Sequence, residues 1–274
     1  MTNATINGAL IEVLATTLTK NSNALGEYKT GTVVSGTYDV RVSKAGYYSK
    51  MITGVNLANG VLTTLDVALS PFQTFAFSGT VLDSLTGQVV PNATVIISSS
   101  LGLSYKSTAD VSGAFTFSSV VPDDYTIYAG KWGYRTSCVM QTLIPGTPIV
   151  ATIAPGYYDD FTFDYGWAIS GTSGNSWERG EPVGTYYGSS SESNPEFDVT
   201  TDCSDSCFVT DNGGAPYNAT DVDNGNTILT SPVFDGTIYL NPTLSYYRRY
   251  LCVNGTGSPN DTMRISINNG STTV

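Results

Sequence analysis

Residues 35–47 read SGTYDVRVSKAGY, and residues 122–134 read PDDYTIYAGKWGY. Set at an offset of 87, the two stretches align well beyond their shared K-x-G-Y ending, with Gly26 on Gly113, Tyr28 on Phe115, Val33 on Val120, Val34 on Val121 and Tyr38 on Tyr125. Lys44, Gly46 and Tyr47 then meet Lys131, Gly133 and Tyr134. The match runs over more than twenty positions without a gap, so one structural unit is used twice.

Within each copy the hydrophobic period is two. Tyr38, Val40 and Val42 point one way while Asp39, Arg41 and Ser43 point the other, and Tyr125, Ile127 and Ala129 repeat the arrangement. That alternation predicts half-buried antiparallel strands. Ala93, Val95 and Ile97 form a similar series matched by Ala9, Ile11 and Val13, while Leu65, Val67 and Leu69 close the first copy before Pro71. The stretch Phe77 to Val81, which opens the second copy, has no counterpart in the first, because TNATINGA already corresponds to TGQVVPNA. The first sandwich is therefore expected to lack its opening strand. Either residues upstream have been cut away or another chain supplies the strand.

These residues resemble the carboxypeptidase regulatory-like family, a transthyretin-like seven-stranded sandwich. The family pattern is a G-x-V-x-D strand, here Gly79 to Asp83, an A-x-V strand, Ala93 to Val95, a G-x-F/Y strand, Gly113 to Phe115, and a G-x-Y-x-V-x-V strand ending in K-x-G-Y, here Asp124 to Tyr134. The departure is Asp124, where the family usually has Gly. The resemblance covers about residues 1 to 155 and implies accessory domains rather than a chemistry.

Composition fits such a fold. Of 274 residues, 41% are hydrophobic and only 13% charged, and the rest is rich in Thr, Ser, Gly, Asn and Tyr, which suit strands and turns. The length favours two domains and permits three. A net charge of −11, with 12 Lys and Arg and no basic cluster, excludes nucleic acid as an expected partner. Histidine is absent, which removes the commonest general base and the commonest zinc ligand. Four cysteines remain; the tight Cys203/Cys207 spacing in DCSDSC suits a small disulfide loop in an oxidising compartment, with free thiols as the alternative. No stretch approaches the roughly 18 apolar residues of a membrane helix. The N-terminus shows neither a basic region nor an uninterrupted apolar one, so no secretory signal is visible and the chain reads as a piece of a longer protein.

After Pro155-Gly156 the composition shifts, and short strand-like segments follow at jelly-roll spacing. Gly166-Trp167, Trp177 to Pro182, Asp221 to Gly225, Leu229 to Asp235, Leu244 to Tyr250 and Asp261 to Asn269 together resemble the MAM-like and cleaved-adhesin-like jelly rolls of large secreted bacterial proteins. The strand carrying ISINNGS normally continues further in such domains, so the chain is expected to be clipped at both ends. The resemblance also implies one structural calcium, with Asp159 or Asp160 and Asp261 as the positions to match and Asp221 with Asp223 as a second site.

Carboxylates are the abundant chemical groups. Glu178 with Glu181, or Asp159 with Asp160, are formal acid–base pairs, but glycoside hydrolysis needs them about 5 to 9 Å apart across a cleft. Calcium is the better use of Asp- and Asn-rich loops, since it takes about six to eight oxygens. DVDNG begins like an EF-hand loop and then departs from it, with Gly225 at the fifth position and no closing Glu. The pairs Tyr157-Tyr158, Tyr186-Tyr187 and Tyr246-Tyr247 each turn one ring outward if they lie in strands; those rings either stack on sugars or cover a domain junction. Trp132 in KWGY is expected to plug such a junction. Phosphate-loop, dinucleotide, serine-hydrolase and metalloprotease motifs are all absent.

The expectation is thus all-β: two tandem Ig/transthyretin-like β-sandwiches, residues 1–71 and 72–155, and a jelly-roll β-sandwich, residues 156–274. It is read as a non-catalytic stalk plus binding domain of a secreted or surface-displayed bacterial protein, extracellular, with no membrane span. Its partners are other domains of the parent chain, which could include a zinc carboxypeptidase, and glycans or a cell-surface protein. Two rivals are a filament subunit completed by strand exchange between identical protomers and a carbohydrate-binding module of a secreted hydrolase.

Overall fold

The computed structural model describes residues 4–187, 191–199, 202–213, 222–252 and 261–273. The described residues hold strands and no helix, as the period-two patterning requires; none is therefore a helix long and apolar enough to cross a membrane. The chain divides into two compact units, residues 1–75 and 76–274. The seam expected at Pro155-Gly156 lies inside the second.

In the first unit, β1 (Leu10–Val13), β2 (Thr19–Asn21), β3 (Gly36–Ser43) and β4 (Lys50–Leu57) form one antiparallel sheet in the order β2-β1-β3-β4. The alternation read from the sequence is the alternation observed. Ile11, Val13, Val40, Val42 and Val55 are buried on one face, with Ala9 beside them. On the opposite face Glu12 and Arg41, directly opposed in the β1–β3 ladder, form a two-pronged ion pair with N–O distances of 2.7 and 2.9 Å. Leu65, Val67, Leu69 and Tyr28 cover the core and stay half-buried.

The second unit contains the complete sandwich. Its strands are β5 (Phe75–Asp83), β6 (Thr94–Ser99), β7 (Ser104–Thr108), β8 (Ala114–Val120), β9 (Asp123–Gly130), β10 (Tyr134–Arg135), β11 (Ser137–Leu143) and β12 (Ile149–Pro155). One sheet runs β11-β9-β6-β7 and the other β10-β12-β5-β8. The first of these repeats the sheet of the first unit strand for strand. In the other, β5 and β12 are parallel, with Gly79 opposite Ile149 and Asp83 opposite Ile153. A Cβ at Gly79 would lie 2.3 Å from the Ile149 carbonyl oxygen and 2.4 Å from the Phe115 ring, so only glycine lets β12 and β8 flank β5 this closely. Phe77, Val81, Val95, Ile97, Phe115, Phe117, Tyr125 and Ile149 form the shared core.

Beyond Pro155 the strands are β13 (Ala168–Gly171), β14 (Trp177–Gly180), β15 (Thr185–Tyr187), β16 (Ser191–Asn194), β17 (Cys207–Thr210) and β18 (Thr227–Thr230). Where a jelly roll of two facing sheets is expected, the described residues form three two-stranded ladders, β13-β18, β14-β17 and β15-β16. Residues 231–252 join none of them. Pro232 and Pro242 each remove a backbone donor from that segment, which works against ladder pairing.

Candidate functional site

The second unit joins its sandwich to the terminal third through a dense seam, and it begins at a glycine. A Cβ on Gly130, the last residue of β9, would meet the Tyr165 hydroxyl at 2.4 Å and the Phe163 ring at 2.5 Å. The bare backbone lets both rings lie against the strand end. Two residues on, Trp132 sits in the K-W-G-Y turn, donates its indole N–H to the Val233 carbonyl at 2.8 Å, and packs against Tyr157, Phe234 and Tyr165 with ring centroids 5.2, 4.9 and 5.6 Å away. The Tyr157 hydroxyl accepts the Asp235 backbone N–H at 2.9 Å. Trp132 thus plugs a junction within the unit, and aromatic pairs of this geometry add about 0.5–1.5 kcal/mol each beyond buried area.

Further along, Cys138 of β11 is bridged to Cys203, Cα to Cα 5.7 Å, across 65 residues. The expected Cys203–Cys207 loop is not formed; Cys207 and Cys252 are free. The reason lies in the strands. Cys207 opens β17 and pairs with Gly180 of β14, whereas Cys203 lies beside Thr136, the residue before β11, with its sulfur 4.0 Å from the Thr136 carbonyl. Burial, followed by the nearby Asp198 charge, pushes the Cys207 thiol up to about 11, so it is a poor nucleophile.

An acidic group borders the bridge. Asp160 is buried; its Oδ1 accepts from the Thr136 hydroxyl at 2.9 Å and from Thr162 N–H at 3.1 Å, and its backbone carbonyl accepts from the Ser204 hydroxyl. Asp159 accepts from Phe161 N–H through one oxygen and from the Trp167 indole through the other, and burial raises its carboxyl above the usual range. Asp202 accepts from the Tyr158 hydroxyl at 3.0 Å, and the Arg135 guanidinium lies over the Tyr158 ring at 5.1 Å. Burial and the Asp202 contact push that phenol up to about 12. Asp198 is raised to about 6, first by burial and then by the charges of Asp202, Asp205 and Asp160; one of its oxygens is buried without a hydrogen-bond partner.

The carboxylates expected to hold calcium do not converge. Asp159 is committed to Phe161 and Trp167, and Asp160 to Thr136 and Thr162. Asp261 is exposed and accepts the Cys252 thiol at 3.7 Å; Asp223 is exposed, and its backbone carbonyl accepts the Ser173 hydroxyl. Asp221 lies outside the described residues. Among the described residues no three metal-ligating side chains come together, whereas a calcium cage needs about six to eight oxygens. The residues present at Asp159, Asp160, Asp223 and Asp261 therefore do not fit the ion. Among the described residues Tyr157 is inside the seam, while Tyr246 and Tyr247 are both exposed because no strand there separates their faces.

Sequence reasoning missed Cys138 as the partner of Cys203, and Asp198, Asp202 and Asp205 as a group. The acids carried a visible signal in the spacing of DVTTDCSD, residues 198–205; Cys138 carried none.

The profile of the carboxypeptidase regulatory-like domain matches residues 1–70 and 76–154. The chain belongs to this family. The two regulatory-like domains so marked are the two copies of the repeat. No curated protein matches the chain. Among solved structures, the chain is similar to a streptococcal ancillary pilin at 14% identity and TM-score 0.38, over 54% of this chain and 57% of that one. It is similar to GBS52, the minor pilin of Streptococcus agalactiae, at 13% identity and TM-score 0.36, over 56% and 84%. The TIE protein of Bacillus anthracis gives 20% identity and TM-score 0.26, over 56% of this chain and 32% of that one.

Proposed function

We propose that the chain is a non-catalytic, extracellular structural and adhesive region of a secreted or surface-displayed bacterial protein. The tandem regulatory-like domains form its stalk, and the jelly-roll-like terminal third presents a contact to a glycan or a cell-surface protein. One observation carries this reading: the Cys138–Cys203 bridge and the Trp132 ring cluster lock the second regulatory-like domain to the terminal third. Both resist separation, and a persistent disulfide belongs to an oxidising compartment. The acids nearby are tied into turns, and the Cys207 thiol beside Asp198 is kept protonated, which suits support better than turnover.

The test of the main reading pairs two measurements. The purified chain is assayed against peptide, ester and glycoside substrates, and the parent protein is probed on intact cells with an added protease. Cleavage of the parent at the cell surface, with no turnover by the chain, is expected. Turnover by the isolated chain, or a parent shielded inside the cell, overturns the proposal.

A further inference from the structure

The sequence holds six Asn-Gly pairs, beginning at Asn7, Asn59, Asn212, Asn224, Asn254 and Asn269. An asparagine before a glycine is open to a spontaneous reaction, because the next backbone nitrogen can close a five-membered ring on the side-chain carbonyl carbon and glycine has no Cβ in the way. The ring closes where the side chain and the glycine peptide are free to swing, so the fold decides which pairs react. Four pairs are held. Asn212 is clamped through both atoms of its amide, donating to the Glu181 carbonyl at 2.7 Å and accepting from Val183 N–H at 2.8 Å, and Gly213 N–H bonds the Asp211 carbonyl. The Asn269 side-chain oxygen accepts from the N–H groups of Ser271 and Thr272, and Gly270 N–H is taken by the Asn268 side chain at 2.6 Å. Gly8 N–H bonds the Ser22 carbonyl at 2.9 Å. Gly225 is boxed in: a Cβ there would lie 2.7 Å from the Ser173 nitrogen and the Thr172 hydroxyl oxygen, so its peptide has no room to turn. Asn254 lies outside the described residues.

Asn59-Gly60 is different. Its backbone is fixed on both sides: Asn59 N–H donates to the Ser35 hydroxyl oxygen at 2.8 Å, and Val61 N–H to the Ala58 carbonyl at 3.1 Å across the turn that follows β4. The Asn59 side chain is exposed and, among the described residues, neither it nor Gly60 N–H has a hydrogen-bond partner. A Cβ on Gly60 would meet nothing within 4 Å, and its φ of +73° marks the third position of a type II turn. The second regulatory-like domain makes the same turn after β11, with Thr147 N–H on the Ile144 carbonyl and Gly146 at a φ of +84°. There Pro145 stands where the first domain has Asn59. The turn belongs to the repeat, and only the first copy carries a side chain that can react in it.

We propose that Asn59 is a self-modification site, converting to aspartate and isoaspartate during the life of the protein. The Gly60 nitrogen loses its proton to water and bonds to Cγ of Asn59. The Cγ–Nδ2 bond breaks, and Nδ2, taking a proton from water in return, leaves as ammonia. Water then opens the cyclic imide. Breaking its Cγ–N bond gives aspartate; breaking the backbone C–N bond gives isoaspartate, with one extra methylene in the main chain. Either product adds a negative charge to a chain already at −11. The isoaspartate form also lengthens the turn that Pro145 preserves in the second domain, so one copy of the repeat ages at this turn and the other does not. This goes beyond the structural and adhesive reading and does not depend on it.

The test incubates the whole chain at neutral pH and maps its peptides by mass spectrometry, with electron-transfer fragmentation to tell isoaspartate from aspartate. Conversion at Asn59 is expected to run at least fivefold faster than at Asn7, Asn212, Asn224 or Asn269, and to yield isoaspartate. In a chain unfolded by guanidinium the five rates are expected to fall within threefold of one another, since the fold makes the difference. Asn59→Gln, whose longer side chain closes a six-membered ring far less readily, is expected to slow conversion at that position at least tenfold. A rate at Asn59 no greater than at the four held pairs, an order of rates that survives unfolding, aspartate without isoaspartate, or equal conversion of Asn59→Gln overturns the proposal.

Discussion

The two regulatory-like domains present the same sheet twice, β2-β1-β3-β4 and β7-β6-β9-β11, yet their cores close to different degrees. The difference sits in the sheet that faces each of them. With β5 in place, β8 and β12 are strands and Val120, Phe115 and Ile149 are buried; without a counterpart of β5, the matching segments of the first domain stay irregular and half-covered. A central strand does two jobs, satisfying the backbone of both neighbours and supplying a layer of side chains. Where no such strand lies between them, as in residues 27–34 and 62–70, neither neighbour forms a strand.

The sharpest way to break the comparison is to damage β5 where it stands. Gly79→Val in the chain forces a branched side chain against the Ile149 backbone, and a loss of about 4 kcal/mol or more is expected in denaturant unfolding of the second unit. The first unit's transition should not move. Next in size is Cys138→Ala. A bridge over 65 residues corresponds to about 4 kcal/mol in the chain-entropy account, with measured effects commonly nearer 2, so melting of the second unit should fall and that of the first stay put.

A matched pair of truncations sharpens the contrast directly. Val120→Ala should cost about 2 kcal/mol as a buried deletion, while Val33→Ala at the aligned position should stay within about 0.5 kcal/mol. Equal costs in calorimetric melting would mean that the first domain is already closed in solution.

The smallest effect is electrostatic, and its sign depends on whether a carboxyl is raised or lowered. Asp198 is raised to about 6, so its folded form favours the proton; stability from this group is greatest below the ordinary carboxylate value and is lost as pH rises through 6. Asp159 and Asp202 are raised too and act the same way. Glu12 is lowered by its hydrogen bond to Arg41, so its contribution is present above the ordinary value and is lost as pH falls below it. Asp83 and Asp110 in the second unit are lowered as well, and they matter only below about 4. Between pH 7 and 5, melting of the second unit should therefore rise by a degree or so, on the order of what a fraction of a kcal/mol produces. Asp198→Asn should flatten that rise.

What could be read in advance follows from how local each signal is. Tyr38, Val40 and Val42 announce a strand and its buried face within five residues, and the K-x-G-Y turn announces the repeat, because both depend on neighbours in sequence. The strands shared by the two copies were legible for the same reason, because the alignment marks each of them twice. The partner of Cys203 was not. Pairing over 65 residues depends on which strand edge the 156–274 segment meets, and a nearby Cys207 offered a shorter loop that strand β17 turns away. Nor could the sequence show that Asp159 and Asp160 take hydrogen bonds from Trp167, Phe161 and Thr136. In the terminal third, short motifs named residues without fixing which ladders they join.

The parallel pairing of β5 with β12 has a mechanical side. These are the first and last strands of the second regulatory-like domain, so tension entering near residue 75 and leaving near residue 155 pulls the two in opposite directions along their length. The five paired positions from Gly79–Ile149 to Asp83–Ile153 then bear the load together, in shear, instead of peeling apart one by one.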